Sequence, residues 1–219
     1  MESAGKRILV DTPPEIRLQL VKAGVASVDA VLFTHEHADH VHGIDDLRAV
    51  SVSGGTLPVY GPGGALREIE RRFAYIFDGT PAPDQSSKPD LAIEEIEPGT
   101  TVPIAGMPVQ ALQFDHGRMN VFGYRFGRMA YLTDVKRVSG AAIEALTGLD
   151  LLVINALFEK PHPAHLSIPE AIDVARAVGA KRTVLTHLTH RYSHAHLVER
   201  LPEGVEPAYD GLVIDLAEG

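Results

Sequence analysis

Val28-Asp29-Ala30-Val31-Leu32-Phe33 runs directly into Thr34-His35-Glu36-His37-Ala38-Asp39-His40. The first six residues, apolar apart from Asp29, read as a buried strand. The next stretch places three imidazoles and the Asp39 carboxylate within six positions. Neutral imidazole nitrogen and carboxylate oxygen are ligands that borderline divalent metals accept, and the tight spacing lets one strand-end loop aim several of them at a point. The alternative is a solvated polar turn with chance histidines. It is the weaker reading, because further His and Asp residues recur at later strand ends.

Upstream, Ile8-Leu9-Val10 is a short strand ending at Asp11. Thr12-Pro13-Pro14-Glu15 then predicts a helix start, with Thr as N-cap, Pro at the first helical position and Glu at N3. Ile16 and Leu20 mark its buried face and Gly24 its stop. The opening is therefore strand, helix, strand, with the polar cluster at a strand's C-terminal end, where α/β sheets bind ligands.

Downstream, Ile44, Leu47 and Val50 predict a short helix, and Leu57-Pro58-Val59-Tyr60 a strand. Leu66, Ile69, Phe73, Ile76 and Phe77 fall on one face of a single further helix. Thr80 to Pro89 reads as a loop long enough to act as a lid. From Leu91 to Met129 alternation predicts antiparallel strands, two of whose joints carry Asp115-His116-Gly117 and Thr133-Asp134. The last third alternates again. A helix near Gly140 to Leu146 precedes the apolar strand Leu149 to Ala156. Ser167-Ile168-Pro169-Glu170 caps a helix that stops at Gly179, and Thr183-Val184-Leu185-Thr186 ends on His187. Pro207 to Leu216 predicts a turn and a final strand. This mirrored order predicts an α/β (α+β) fold, two mixed sheets between helix layers in an αββα sandwich, as one domain over residues 1–219.

Composition narrows the function. With 219 residues, 45% hydrophobic and 22% charged, the chain supports a sizeable core. A net charge of -9 gives no general attraction to nucleic acid or an anionic membrane. With no cysteine, disulfides, thiol nucleophiles and thiolate zinc sites are all excluded. No stretch is long and apolar enough to span a bilayer and the first residues lack a signal-peptide core, so a cytoplasmic protein is expected. Eleven histidines are the compositional oddity.

Four strand ends hold His35, His37, Asp39, His40, His116, Asp134 and His187. One tetrahedral metal needs four ligands, so seven suggest two metals sharing a carboxylate. This His-x-His-x-Asp-His cluster, followed by isolated His, Asp and His, resembles the metallo-β-lactamase superfamily. Asp11-Thr12-Pro13-Pro14-Glu15-Ile16-Arg17, Gly43-Ile44-Asp45-Asp46-Leu47-Arg48, Pro163-Ala164-His165-Leu166-Ser167, Leu185-Thr186-His187-Leu188-Thr189-His190 and Tyr209-Asp210-Gly211 are similar to its PhnP-like branch of phosphoribosyl cyclic phosphodiesterases. The resemblance implies that His35, His37 and His116 hold one metal, that Asp39, His40 and His187 hold the other, and that Asp134 bridges them. It implies Asp11 as a brace behind the ligands and His165 as a proton donor, so that His165 and the ligand Asp39 are the catalytic candidates. Members of the branch usually carry an extra N-terminal strand pair with a Gly-Thr-Gly-Thr-Ser-type motif and zinc-binding cysteines. This sequence has no counterpart to either before Asp11, and is expected to be an N-terminally short form.

The implied activity is hydrolysis of a small phosphorylated substrate, a cyclic sugar phosphate, by hydroxide generated on two divalent ions, zinc or manganese, with iron or nickel also compatible. His165 is expected to titrate near neutrality and to protonate the leaving alkoxide; its alternative is a surface histidine in a Pro-rich loop. His42 and His190 flank ligands, while His162, His194 and His196 read as surface residues. Arg48, Arg118, Lys136 and Arg191 are either phosphate partners or solvated. Rival readings on the same scaffold are a lactonase, a β-lactamase and a tRNA 3′-processing nuclease, the last disfavoured by the acidic balance. A catalytically silent binding or assembly protein, and a homodimer, also stand as expectations.

Overall fold

The computed structural model describes residues 1–51, 55–80 and 88–216. Most of the expected lid, over 81–87, lies outside them. The chain divides into two compact units, residues 1–108 and residues 109 onward.

In the first unit β1 (Glu2–Ser3) and β2 (Lys6–Val10) form a hairpin whose two-residue turn, Ala4-Gly5, has positive φ at both positions. Next come α1 (Ile16–Ala23), β3 (Ala30–Leu32), α2 (Ala38–Val41), a 3-10 turn over Ile44–Leu47, and α3 (Arg48–Ser51). They are followed by β4 (Leu57–Gly61), α4 (Gly63–Arg72), α5 (Ala74–Phe77), β5 (Leu91–Glu95) and β6 (Thr101–Ile104). One sheet runs β1-β2-β3-β4-β5, and its pairings from β2 to β5 are parallel. Its core gathers Val31, Phe33, Val41, Ile44, Leu47, Leu66 and Ile69, all essentially without solvent exposure. Each such side chain contributes about 1.5–3 kcal/mol on burial.

The other sheet has the order β12-β11-β10-β9-β8-β7-β6. Its strands are β7 (Met107–His116), β8 (Met119–Phe126), β9 (Met129–Leu132), β10 (Leu151–Asn155), β11 (Arg182–Thr186) and β12 (Val205–Pro207), with α6 (Gly140–Ala145), α7 (Ile168–Val178) and α8 (His194–Arg200) between the later ones. β7 and β9 both run antiparallel to β8, and β9, β10 and β11 run parallel. The C-terminal ends of β7, β9, β10 and β11 therefore share one edge, and on it lie His116, Asp134, Asn155 and His187. The expectation of two mixed sheets with helices holds. Among the described residues, no helix is long and apolar enough to cross a membrane.

Five local expectations need correction. α1 starts at Ile16 after Glu15, with no side-chain cap, because the Thr12 N–H donates to the His40 carbonyl and the Thr12 carbonyl accepts from Gly43. The single helix expected over 66–77 breaks at Phe73, whose φ and ψ of -112° and 40° are not helical. Leu91–Glu95 pairs parallel with β4 rather than antiparallel with its successors. The helix His194–Arg200 was not anticipated. The expected final strand reduces to Val205–Pro207. Beyond the Ala208 N–H to Leu185 carbonyl bond the chain turns at Tyr209–Gly211, and Leu212–Leu216 joins no sheet among the described residues.

The predicted cap of α7 is present. The Ser167 hydroxyl accepts from the Glu170 N–H, and Glu170 accepts from the Ser167 N–H at 2.7 Å and from Lys136 Nζ at 2.7 Å. Burial alone would raise the Glu170 carboxyl, but these donors outweigh it and hold it below its usual range. A depressed carboxyl stabilises the fold above its unfolded value and stops doing so as pH falls through its folded one. Ser167→Ala should thus cost about 1 kcal/mol at neutral pH. Urea titrations should show the gap from wild type narrowing below about pH 4.

Candidate metal centre

In the first unit the cluster hangs on Asp11. This residue follows β2 with φ 59°, a left-handed conformation that Asp tolerates better than most side chains. Its Oδ1 accepts from the Thr34 N–H at 2.8 Å and its Oδ2 from the Thr34 hydroxyl at 2.8 Å. The same Oδ2 lies 2.7 Å from His40 Nδ1. A carboxylate can only accept, so His40 carries its proton on Nδ1 and its lone pair on Nε2. The Thr34 hydroxyl donates its hydrogen bond to Asp11, so at 3.0 Å from His35 Nδ1 it accepts. His35 takes the same tautomer. His35 and His40 are buried, whereas His37 and Asp39 are exposed. The His35 ring lies 4.6 Å from that of His37 and 4.2 Å from that of His40, and His40 Nε2 is 3.5 Å from Asp39 Oδ2. All four expected ligands of this unit are brought together.

In the second unit Asp134 and His187 also sit at positive φ, 58° and 56°, just past the ends of β9 and β11. Backbone strain of this kind gathers at functional sites. Asp134 Oδ1 lies 3.1 Å from His187 Nε2, and its Oδ2 lies 3.7 Å from His116 Nε2. The two oxygens of one buried carboxylate thus address different imidazoles. His116 Nδ1 donates to the Ala164 carbonyl at 2.8 Å, which again leaves the lone pair on Nε2. The Asp134 loop is pinned by Asn155, whose Oδ1 accepts from the Val135 N–H at 2.7 Å, and by the Leu166 N–H donating to the Val135 carbonyl.

His165 is no surface residue. Its ring stacks on His187 at 4.9 Å and stands edge-on to His116 at 4.7 Å, and its buried Nδ1 is 4.0 Å from Asp134 Oδ2. Burial pushes it down to about 4, below the near-neutral value expected of it, against the pull of Asp134. Asp134, His165 and His187 can by themselves bring donor atoms within 4.8 Å of one another.

Three residues escaped the sequence reading. Asn155 ends a strand and gave no signal beyond being the polar residue there. The Ala164 peptide holds His116 through its backbone, which no sequence pattern encodes. His162, read as surface, packs against His165 with centroids 5.0 Å apart, and its spacing of three from His165 was the available clue. The proposed phosphate partners fare differently. Arg48 is ion-paired with Asp45 and Lys136 with Glu170, Arg118 lies in the turn after His116, and Arg191 covers the ring of Phe158 at 5.0 Å. His42 packs edge-on to Phe73, and His190 and His194 are exposed.

The donor chemistry of each set fits a divalent cation: oriented neutral imidazoles beside carboxylate, without thiolate. Comparison with known proteins agrees. A family model described as a beta-lactamase superfamily domain matches residues 6–188. A crystal structure of a diphosphatase from the PhnP family is 32% identical, with a TM-score of 0.88, over 98% of this chain and 82% of that one. The octanoyltransferase of Porphyromonas gingivalis is 42% identical over 95% of this chain, which spans only 42% of that protein's length. Ribonuclease Z of Myxococcus xanthus is 27% identical over 95% of this chain and 88% of its own.

Proposed function

The chain belongs to the beta-lactamase superfamily and within it to the PhnP family of metal-dependent hydrolases, and from that premise we propose that it is a phosphodiesterase whose two ligand sets serve one dinuclear centre. The observation that carries this is the division of Asp134, one oxygen toward His187 and the other toward His116, as a carboxylate shared by two cations requires. His35, His37 and His116 then hold one ion, and Asp39, His40 and His187 the other. Divalent cations held there supply Lewis acidity and an activated water for in-line attack at phosphorus. The protein's part is orientation. Asp11, Thr34 and Ala164 fix the imidazole tautomers, and Asn155 fixes the loop that presents Asp134.

His165 is the proton donor. Its burial favours the neutral ring, and the negative charge of a phosphate beside it raises its affinity for the proton that the leaving oxygen needs. The finest form of the reading is opening of a cyclic sugar phosphate of the phosphoribosyl 1,2-cyclic type. Cleavage of a diphosphate, which the PhnP-family neighbour performs, uses the same attack at phosphorus. The ribonuclease Z relatives make a polynucleotide the rival substrate, and the net charge of -9 opposes it.

A second reading has its own observation: His165 shares the Asp134 and His187 donor group and could ligate. His165→Ala separates the two. As proton donor its loss should lower kcat on a ribose cyclic phosphate, whose leaving alkoxide needs the proton, by roughly 10²–10⁴ with metal content unchanged, and should affect bis(p-nitrophenyl) phosphate, whose nitrophenolate leaves unprotonated, far less. As a ligand its loss should remove an ion. Wild-type protein with two bound ions and no turnover of diesters would sink the phosphodiesterase reading, and β-lactam or lactone turnover insensitive to His165→Ala would replace it.

A further inference from the structure

The end of α4 closes on the chain that carries His37, Asp39 and His40. Phe73, where the helix breaks, stands edge-on to His42 at 6.1 Å, just after those residues. Arg72, the last residue of α4, reaches the chain just before them, its Nη1 donating to the Glu36 carbonyl at 2.5 Å. The direction of this side chain is set within the helix. Glu68 Oε1 accepts from Arg72 Nε at 2.7 Å, and the same carboxylate takes Arg71 Nε and Nη2 at 2.8 Å each. Those bonds, from Arg71 and then from Arg72, hold the Glu68 carboxyl down to about 2, so it orients Arg72 as an anion throughout the neutral range.

The Glu36 carbonyl and the His37 N–H belong to one planar peptide unit. An oxygen fixed by Arg72 therefore fixes the plane from which the His37 side chain is hung. On the far side of His37 its own carbonyl accepts from the His40 N–H at 3.0 Å, where α2 begins. His37, exposed at its ring, thus sits between two anchored peptides with φ and ψ of -65° and 150°. We propose that Arg72, oriented by Glu68, is a positioning residue of the metal centre: by holding the Glu36 carbonyl it keeps the backbone of His37 in place, so that an exposed imidazole meets a cation without first having to be ordered. The inference rests on the reading of His35, His37 and His116 as ligands of one ion. Asp11, Thr34 and Ala164 act on imidazole rings, whereas Arg72 acts on the main chain of a single ligand. Its loss should weaken the ion on His35, His37 and His116 and spare the one on Asp39, His40 and His187, the set that Asp11 touches through His40.

Arg72→Met keeps the aliphatic stem and removes every donor. Arg72 is exposed, so the variant should keep the metal-free fold. In metal-free protein, ¹⁵N relaxation should show the order parameter of the His37 amide falling from the rigid value of about 0.85 to below about 0.6, while that of Thr34 is unchanged. In chelator competition one ion should be held roughly tenfold more weakly, as for loss of a residue that supports a ligand, and the other as in wild type. Glu68→Gln, which leaves Arg72 present but less firmly directed, should move both readouts the same way by less, and no movement removes Glu68 from the arrangement. In a His37→Ala background, Arg72→Met should have no effect on the ion that remains. A rigid His37 amide in Arg72→Met, or wild-type affinity for both ions, overturns the proposal. A tenfold loss that persists in the His37→Ala background, the mark of a helix contact that merely steadies the whole loop, overturns it as well. Wild-type protein that binds no divalent ion sinks the metal reading itself, which the relaxation measurement does not depend on, so the two can fail separately.

Discussion

Asp134→Asn should abolish diester hydrolysis and lower the bound metal toward one ion per chain or fewer. Asparagine is nearly isosteric and among the residues that accept a φ of 58°, so the backbone after β9 has no reason to move. It also keeps a carbonyl oxygen to accept from the Thr133 hydroxyl, as Asp134 Oδ1 does at 2.8 Å. What it lacks is the second anionic oxygen. In the wild-type protein Oδ1 faces His187 and Oδ2 faces both His116 and His165, whereas the variant offers an amide N–H₂ on one side, a donor facing the proposed cation. Loss of a residue that only supports a ligand costs roughly 10–100-fold in metal affinity or activity. Loss of the shared ligand should exceed the upper end of that range in kcat/KM for bis(p-nitrophenyl) phosphate. Elemental analysis after gel filtration is the direct measurement. Two ions retained together with near-native turnover would remove Asp134 from the centre, whatever its position at the sheet edge.

How much of this could be read beforehand depends on what kind of interaction specified it. The candidate ligands were legible because metal chemistry restricts residue types and because His35, His116, Asp134 and His187 each follow an apolar run that announces a strand end. α7 was legible because Ser167 and Glu170 form a local, reciprocal cap. Asp11 was assigned correctly, but Thr12 was misread as a cap since its real partners, the His40 carbonyl and the Gly43 N–H, lie across the fold. Leu91–Glu95 looked like its antiparallel successors because alternation reports a half-buried strand and not the direction of its neighbour. Leu212–Leu216 retains alternating exposure, yet a period of two cannot state whether a partner strand exists. The left-handed backbone of Asp134 and His187 and the role of the Ala164 carbonyl left no trace in residue identity. They are properties of how strand ends turn, and they decide where the candidate ligands point.

Asp11→Asn should weaken metal binding by roughly 10–100-fold while leaving the metal-free fold close to native stability. The argument turns on a single oxygen. Asparagine preserves the left-handed φ and, through its carbonyl, the bond from the Thr34 N–H. In place of Oδ2 it presents an N–H₂ group to the Thr34 hydroxyl and to His40 Nδ1, both of which donate to that oxygen in the wild-type protein. Donor facing donor is relieved by moving the His40 proton to Nε2, which takes away the lone pair a cation needs, and by turning the Thr34 hydroxyl, which frees the proton acceptor that holds His35. Asp11 therefore governs ligands assigned to different ions, His40 by direct contact and His35 through Thr34. The ion proposed to sit on Asp39, His40 and His187 should be lost first, at lower chelator concentration, and the one on His35, His37 and His116 later. Asp11→Ala removes the same bonds and in addition places alanine in a left-handed conformation at about 1–2 kcal/mol, so it should lower the metal-free unfolding midpoint as well. Chelator competition on both variants, with denaturant unfolding of the metal-free forms, separates the two effects. Wild-type metal affinity in Asp11→Asn would show that the imidazoles keep their tautomers without it, and would move the organising role to the strand end itself.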